Sequence, residues 1–244
     1  MIDIHCHFLP GIDDGPATME EAVELARIAS NDGITLSILT PHIHPGRWEN
    51  DRLIIGSALT AFRTALQTAG IALELGFAAE VRLTDLIFKQ LEAGRIPFLG
   101  KLNTCDLLLL EFPHGHMIPG SEQLARWLID RGICPVIAHP ERNRAIMRDR
   151  DLLNPLLEAG CLLQITAGSL TGKFGSGAQQ IALQLLDEDV VSFVASDAHN
   201  TKARPPILSE AYALVCERKS ADVAQALFGE NARAFLTGNP GTSS

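Results

Sequence analysis

The sequence predicts an α/β fold built on a largely parallel sheet, and three observations carry that prediction. Seven short apolar runs recur along the 244 residues, each is followed by a segment of helical periodicity, and the runs are apolar throughout rather than alternating. Strands buried on both faces read this way, as a parallel sheet covered by crossover helices requires.

The first run, 2–6, ends in His5-Cys6-His7. Residues i and i+2 of a strand share a face, so His5 and His7 can aim at one ion. Thr18-x-x-Glu21 is a capping box that opens a helix over 19–31, and Asp32-Gly33 closes it. The second run, 35–40 (Thr-Leu-Ser-Ile-Leu-Thr), precedes a helix at 50–69, and the third spans 73–79. The fourth, 106–112 (Asp-Leu-Leu-Leu-Leu-Glu-Phe), leads to a helix at 121–131, and the fifth, 134–138, to one at 147–159. The sixth, 161–166, and the seventh, 190–195, are followed by helices at 176–188 and 207–217. These helices repeat apolar residues at three- and four-residue steps. No repeat or linker divides the chain, so 1–237 reads as one domain and 238–244 as a flexible tail. An open doubly wound sheet and a closed barrel both fit this order. Neither G-x-G-x-x-G nor G-x-x-x-x-G-K-[ST] is present, which removes the usual phosphate-cradling loops of open sheets.

Composition narrows the function. With 46% hydrophobic and 20% charged residues the chain has ample material for a core. No run approaches the ~18 apolar residues of a membrane span and no signal peptide opens the chain, so a cytoplasmic protein without membrane insertion is expected. A net charge of −9 with no Lys/Arg cluster argues against nucleic acid as a partner. The five cysteines form no Cys-x-x-Cys pair and sit mostly in apolar runs, as reduced packing residues do.

The ionisable residues track the carboxyl ends of the strands. His5 and His7 end the first, His42 follows the second, Glu80 the third, Glu111 the fourth, His139 the fifth, and Asp197 with His199 the seventh; the sixth offers Gln164 and Thr166. At that end of a βα barrel such residues converge on one cleft whatever their sequence separation. Asp197 has a competing reading as a helix N-cap, but Asp197-x-His199 repeats the i, i+2 spacing of the first strand. Glu80 and Glu111 close apolar runs, where an unpaired carboxylate is costly, so each needs a cation or an arginine partner. His42 is preferred to His44 because it lies nearer its strand end, and His114-Gly115-His116 reads as a Pro/Gly-rich loop.

These residues resemble a known family, the manganese-dependent tyrosine phosphatases of bacterial capsule and exopolysaccharide operons, in the polymerase and histidinol phosphatase (PHP) superfamily. The resemblance is carried by Asp3-Ile4-His5-Cys6-His7, Asp13-Asp14-Gly15-Pro16, Thr40-Pro41-His42, Gly76 to Glu80, Glu111-Phe112, His139-Pro140-Glu141-Arg142, Ser196-Asp197-Ala198-His199 and Ala203-Arg204-Pro205-Pro206. It implies a distorted TIM-like (β/α)7 barrel of the PHP type and three manganese ions, with iron, zinc or magnesium as alternatives. It further implies that His5, His7, Glu80 and Asp197 hold one ion, that Glu80 bridges to a second held with Glu111 and His139, and that Asp14, His42 and His199 hold the third. Arg142 and Arg204 match the family's phosphate-handling positions. Cys6, where serine is frequent, and the His-x-His at 42–44 depart from the family pattern.

Nine nitrogen and oxygen ligands without a thiolate suit these metals and exceed what one ion takes. Metal ions held by such a set would lower the pKa of water so that hydroxide serves as the nucleophile, and the two arginines would hold the equatorial oxygens of the phosphoryl group. The cysteine route to the same reaction places an arginine six residues after the nucleophile, whereas Ile12, Glu111, Pro140, Ala167 and Asp222 stand there. The implied substrate is a phosphotyrosine protein, the tail of a bacterial tyrosine kinase, with a small ester such as histidinol phosphate as the alternative. A catalytically silent metal-stabilised scaffold is a third reading, disfavoured by the retained arginines, and a homo-oligomer is compatible with the sequence.

Overall fold

Proline and register explain why the sheet departs from seven plain strands. The computed structural model describes residues 1–236, so the tail expected at 238–244 lies outside the described residues. The first run is β1 (Ile2–Cys6). The second divides at Thr40-Pro41 into β2 (Leu36–Leu39) and β3 (His42–Ile43), because Pro41 has no N–H to continue a ladder. The third divides alongside it into β4 (Glu74–Phe77) and β5 (Glu80–Arg82). A two-residue strand, β6 (Lys101–Leu102), forms an antiparallel hairpin with β7 (Cys105–Glu111), and β8 (Ile133–Ala138), β9 (Leu162–Thr166) and β10 (Phe193–Ala195) follow.

All other pairings are parallel, in the orders β1-β2-β4 and β3-β5-β7-β8-β9-β10. Two backbone bonds then join the ends of this path. The Asp197 N–H donates to the His5 carbonyl at 2.8 Å and the His7 N–H to the Ala198 carbonyl at 2.9 Å. With β2 and β3 counted as one bent strand, and β4 and β5 as another, seven strands run in order back to β1. Asp3 fastens the same seam: its carboxylate accepts the Ser196 N–H at 3.0 Å and the Ser196 hydroxyl at 2.5 Å.

The helices cover this sheet. α1 (Met19–Asn31) carries the expected capping box, with Glu21 N–H on Thr18 Oγ1 at 3.3 Å and Thr18 N–H on Glu21 Oε2 at 3.4 Å. α2 (Arg52–Thr68), α3 (Ile87–Glu92) and α4 (Ser121–Ile129) follow. The single helix expected at 147–159 is instead α5 (Arg144–Arg148), a 3₁₀ turn and α6 (Asn154–Ala159). Asp149 is extended and caps the turn, and Pro155 is confined to the start of a helix, so the periodicity spans three pieces. α7 (Ala167–Leu170), α8 (Ser176–Asp187), α9 (Ser209–Arg218), α10 (Ala221–Gln225) and α11 (Asn231–Leu236) complete the set. No helix among the described residues is long and apolar enough to cross a membrane.

One buried cluster gathers Ile2, Ile4, Leu107, Leu109, Val136 and Phe193 with Ala232 and Phe235 of α11. By the two-residue period, the face of β7 carrying Leu107 and Leu109 ends in Glu111. Likewise the β10 face carrying Phe193 and Ala195 runs on to Asp197. The apolar core thus terminates in carboxylates, and register sets His42 beside Glu80 and Arg82 beside Glu111.

Candidate metal centre

Four donor atoms form the centre of the cleft. His5 Nε2 and His7 Nε2 are 3.3 Å apart. His5 Nε2 lies 3.3 Å from both Glu80 Oε2 and Asp197 Oδ1, and His7 Nε2 lies 3.4 Å from the same two oxygens. Both imidazole nitrogens thus stand 3.3–3.4 Å from each other and from each carboxylate oxygen, and all four atoms lie within 4.8 Å of one another. Donor atoms at such separations can share one divalent transition metal, whose bonds to nitrogen and oxygen are about 2.0–2.2 Å. Glu80 Oε2, Asp197 Oδ1 and His42 Nδ1 are buried and face surrounding nitrogen and oxygen atoms at 3.0–3.4 Å without a hydrogen bond of good geometry. Buried polar atoms left in that condition, all aimed inward, fit a cation.

Two further donor groups adjoin this one. Asp14 Oδ1 lies 3.3 Å from both His42 Nε2 and His199 Nε2, and His7 joins this set. Glu80, Glu111 and His42 form another, with His42 Nδ1 3.0 Å from Glu80 Oε2. His139 Nε2 meets Glu80 Oε1 at 2.7 Å rather than grouping with Glu111. The eight candidate ligands at strand ends and Asp14 of the 13–16 loop therefore meet in one cleft, with His7 and His42 each facing two donor groups instead of one. Glu111 Oε1 pairs with Arg82 Nη1 at 3.0 Å, the arginine partner that its burial requires.

The histidine rings are held from behind. Gln164 Oε1 accepts from His5 Nδ1 and Asp13 Oδ2 from His7 Nδ1, each at 2.7 Å, and the Asp197 carbonyl accepts from His199 Nδ1 at 3.0 Å. A protonated Nδ1 leaves the Nε2 lone pair free for a metal. Asp13 also accepts the N–H groups of Gly15 and His42, so it fixes the loop that presents Asp14. The sequence places Gln164 at its strand end without revealing this role, and Asp13 stands unmarked beside Asp14. The only sequence signal for either is position.

Electrostatics agree with a cation centre. Burial opposes charge on every group, yet the facing histidines hold Glu80 well below the usual carboxylate range. For Asp197, His5, Arg142 and Arg204 do the same. In return, Glu80 and Asp14 lift His42 to about 10 against its burial, and Asp13 raises His7. His199 goes the other way, to about 4, because burial and the neighbouring His7 outweigh its carboxylates. Without metal, protons balance the carboxylates here; cations can replace them.

Two arginines close the cleft over Asp197. His139 begins a 3₁₀ turn (Pro140–Arg142) that returns Arg142 to the site. Asn200 Oδ1 accepts the N–H groups of Lys202, Ala203 and Arg204, folding Arg204 back. Both guanidiniums contact Asp197 Oδ2. His139 and Asp197 have φ of +34° and +50°, so two proposed ligand positions sit in the left-handed region where strain collects at functional sites. His114 reaches the rim, its 60% exposed ring 3.7 Å from Glu111, and His116 uses its carbonyl to accept from Asn143. His44 packs edge-on to Trp48, whose ring also stacks on His42 at 4.7 Å.

Comparison with known proteins places this geometry. Residues 1–237 match the family described as capsular polysaccharide synthesis, CpsB/CapC. Tyrosine-protein phosphatase YwqE of Bacillus subtilis is 38% identical over 236 residues, 97% of this chain and 91% of that protein. Tyrosine-protein phosphatase CpsB of Streptococcus pneumoniae is 30% identical, covering 97% of this chain and 98% of its own. A chain from the crystal structures of YwqE from Bacillus subtilis and CpsB from Streptococcus pneumoniae, described as metal-dependent tyrosine phosphatases, superposes with a TM-score of 0.88. It is 35% identical, and the match covers 100% of this chain and 99% of that one. An organophosphorus hydrolase variant from Deinococcus radiodurans, 14% identical, shares the fold with a TM-score of 0.57 over 96% of this chain and 92% of that one.

Proposed function

The chain belongs to the CpsB/CapC capsular polysaccharide synthesis family, and on that premise we propose that it is a metal-dependent protein-tyrosine phosphatase. Its substrate is a phosphotyrosine protein, the tyrosine kinase that drives capsule or exopolysaccharide export. The observation that carries this reading is the convergent set His5, His7, Glu80 and Asp197, with two arginines seated on the far oxygen of the same aspartate.

The cleft takes three divalent ions, manganese in the first place. His5, His7, Glu80 and Asp197 would hold one; Glu80, Glu111 and His139 a second, which His42 also faces; Asp14, His42 and His199 the third. When bound, such ions lower the pKa of water toward neutrality and neutralise charge on the phosphoryl oxygens. Gln164, Asp13 and the Asp197 carbonyl keep the imidazoles aimed inward, so little reorganisation is required at each turnover. Arg142 and Arg204 offer planar donor forks that match the equatorial oxygens of the transferred group. Cys6 is fully buried and its thiol is held well above the ordinary value by that burial, which supports a route without a cysteine nucleophile.

A substrate panel tests the proposal. With manganese supplied, phosphotyrosine peptides are expected to turn over far faster than histidinol phosphate or a phosphodiester. Preference for either of the latter would replace the proposed substrate class while leaving the metal centre in place.

A further inference from the structure

Phe174 lies under both cleft arginines. The guanidinium carbons of Arg142 and Arg204 are 4.4 and 5.7 Å from its ring centroid. The ring belongs to the 171–175 segment between α7 and α8, downstream of β9, the strand whose end supplies none of the nine proposed ligands. Three observations mark it as more than a packing residue. First, two like charges share one oxygen, Asp197 Oδ2, and an aromatic face is a surface on which adjacent guanidiniums are both stabilised. Second, Arg204 Nε is buried with no acceptor among the described residues, so one donor of the pair is left for a ligand. Third, the ring has a prepared seat: a Cβ at Gly168 would stand 2.9 Å from Phe174 Cε2. Lys173 anchors the segment, its N–H on the Gly168 carbonyl at 2.8 Å and its ammonium 2.8 Å from Glu210.

We propose that Phe174 is a positioning residue that holds the guanidinium planes of Arg142 and Arg204 toward the phosphoryl group, so that the loop after β9 sets phosphate affinity. When the arginine N–H groups turn from Asp197 to phosphoryl oxygens, the ring is the contact that stays with their planes. This rests on the phosphatase reading of the cleft.

The test measures affinity for inorganic phosphate by calorimetry on the manganese-loaded protein, alongside kcat and KM for a phosphotyrosine peptide. Phe174→Leu keeps apolar bulk but removes the ring face, and it is expected to weaken phosphate binding about three- to thirtyfold, with KM rising more than kcat falls. Metal content and Tm are expected to stay at wild-type values. Phe174→Tyr should restore most of the affinity, and Gly168→Ala, which presses on the ring edge, should weaken it. In an Arg142→Ala background Phe174→Leu should cost less, because part of its effect runs through that arginine. Wild-type phosphate affinity in Phe174→Leu, failure of Phe174→Tyr to differ from it, or loss of metal or melting stability would overturn the proposal. Absence of phosphotyrosine turnover by the wild type would instead refute the phosphatase reading, and the phosphate titration would still decide the role of Phe174.

Discussion

Asp197→Asn is expected to strip bound metal and to lower kcat/KM by more than ~100-fold, beyond the usual cost of losing a residue that only supports a ligand. One carboxylate does two jobs here. Its Oδ1 completes the donor group with His5, His7 and Glu80, and its Oδ2 gathers Arg142 and Arg204. Asparagine is the informative replacement because it tolerates the left-handed backbone at φ +50°, whereas alanine there adds ~1 kcal/mol of strain unrelated to metal binding. Metal content is read by elemental analysis of the purified variant. Undiminished metal would remove Asp197 from the centre.

Arg204→Ala should separate binding of metal from use of it. The guanidinium touches Asp197 but belongs to no donor group, so metal content is expected to hold while kcat/KM falls by ~10²-fold, the cost of one preorganised donor to a developing oxyanion. Lysine should not substitute, since its point charge lacks the planar fork. His114→Ala is the control for the rim: its ring is 60% exposed and 3.7 Å from Glu111, so metal is expected to remain. Metal loss in His114→Ala as severe as in His139→Ala would make the loop after β7 part of the centre.

The strand ends were legible because a parallel βα order converts position in sequence into position in space. His5 and His7 share a face by the two-residue period, and Glu80 and Glu111 stood out as carboxylates closing apolar runs. What escaped was set by partners distant in sequence. Gln164 is an ordinary polar residue until His5 is placed 2.7 Å away, and Asp13 has no role beside Asp14, the candidate ligand, until the loop turns it toward His7. The sequence reading left Arg82 unassigned, and register makes it the half-buried partner of the buried Glu111 carboxylate. The fold shows the same division. Long periodic helices such as α1 and α2 were readable, whereas α3, β6, α10 and α11 span two to six residues, too few for a period to show. The division of two strand runs came from Pro41 and from pairing that no local pattern records.

Metal dependence of phosphotyrosine hydrolysis is the property on which the proposed cleft stands or falls. Stripping the protein with a chelator, then following hydrolysis of a phosphotyrosine peptide as manganese is returned, tests it most directly. The expected result is negligible turnover in the stripped protein and recovery that saturates near three ions per chain. Full activity in the stripped, metal-free protein would contradict the account.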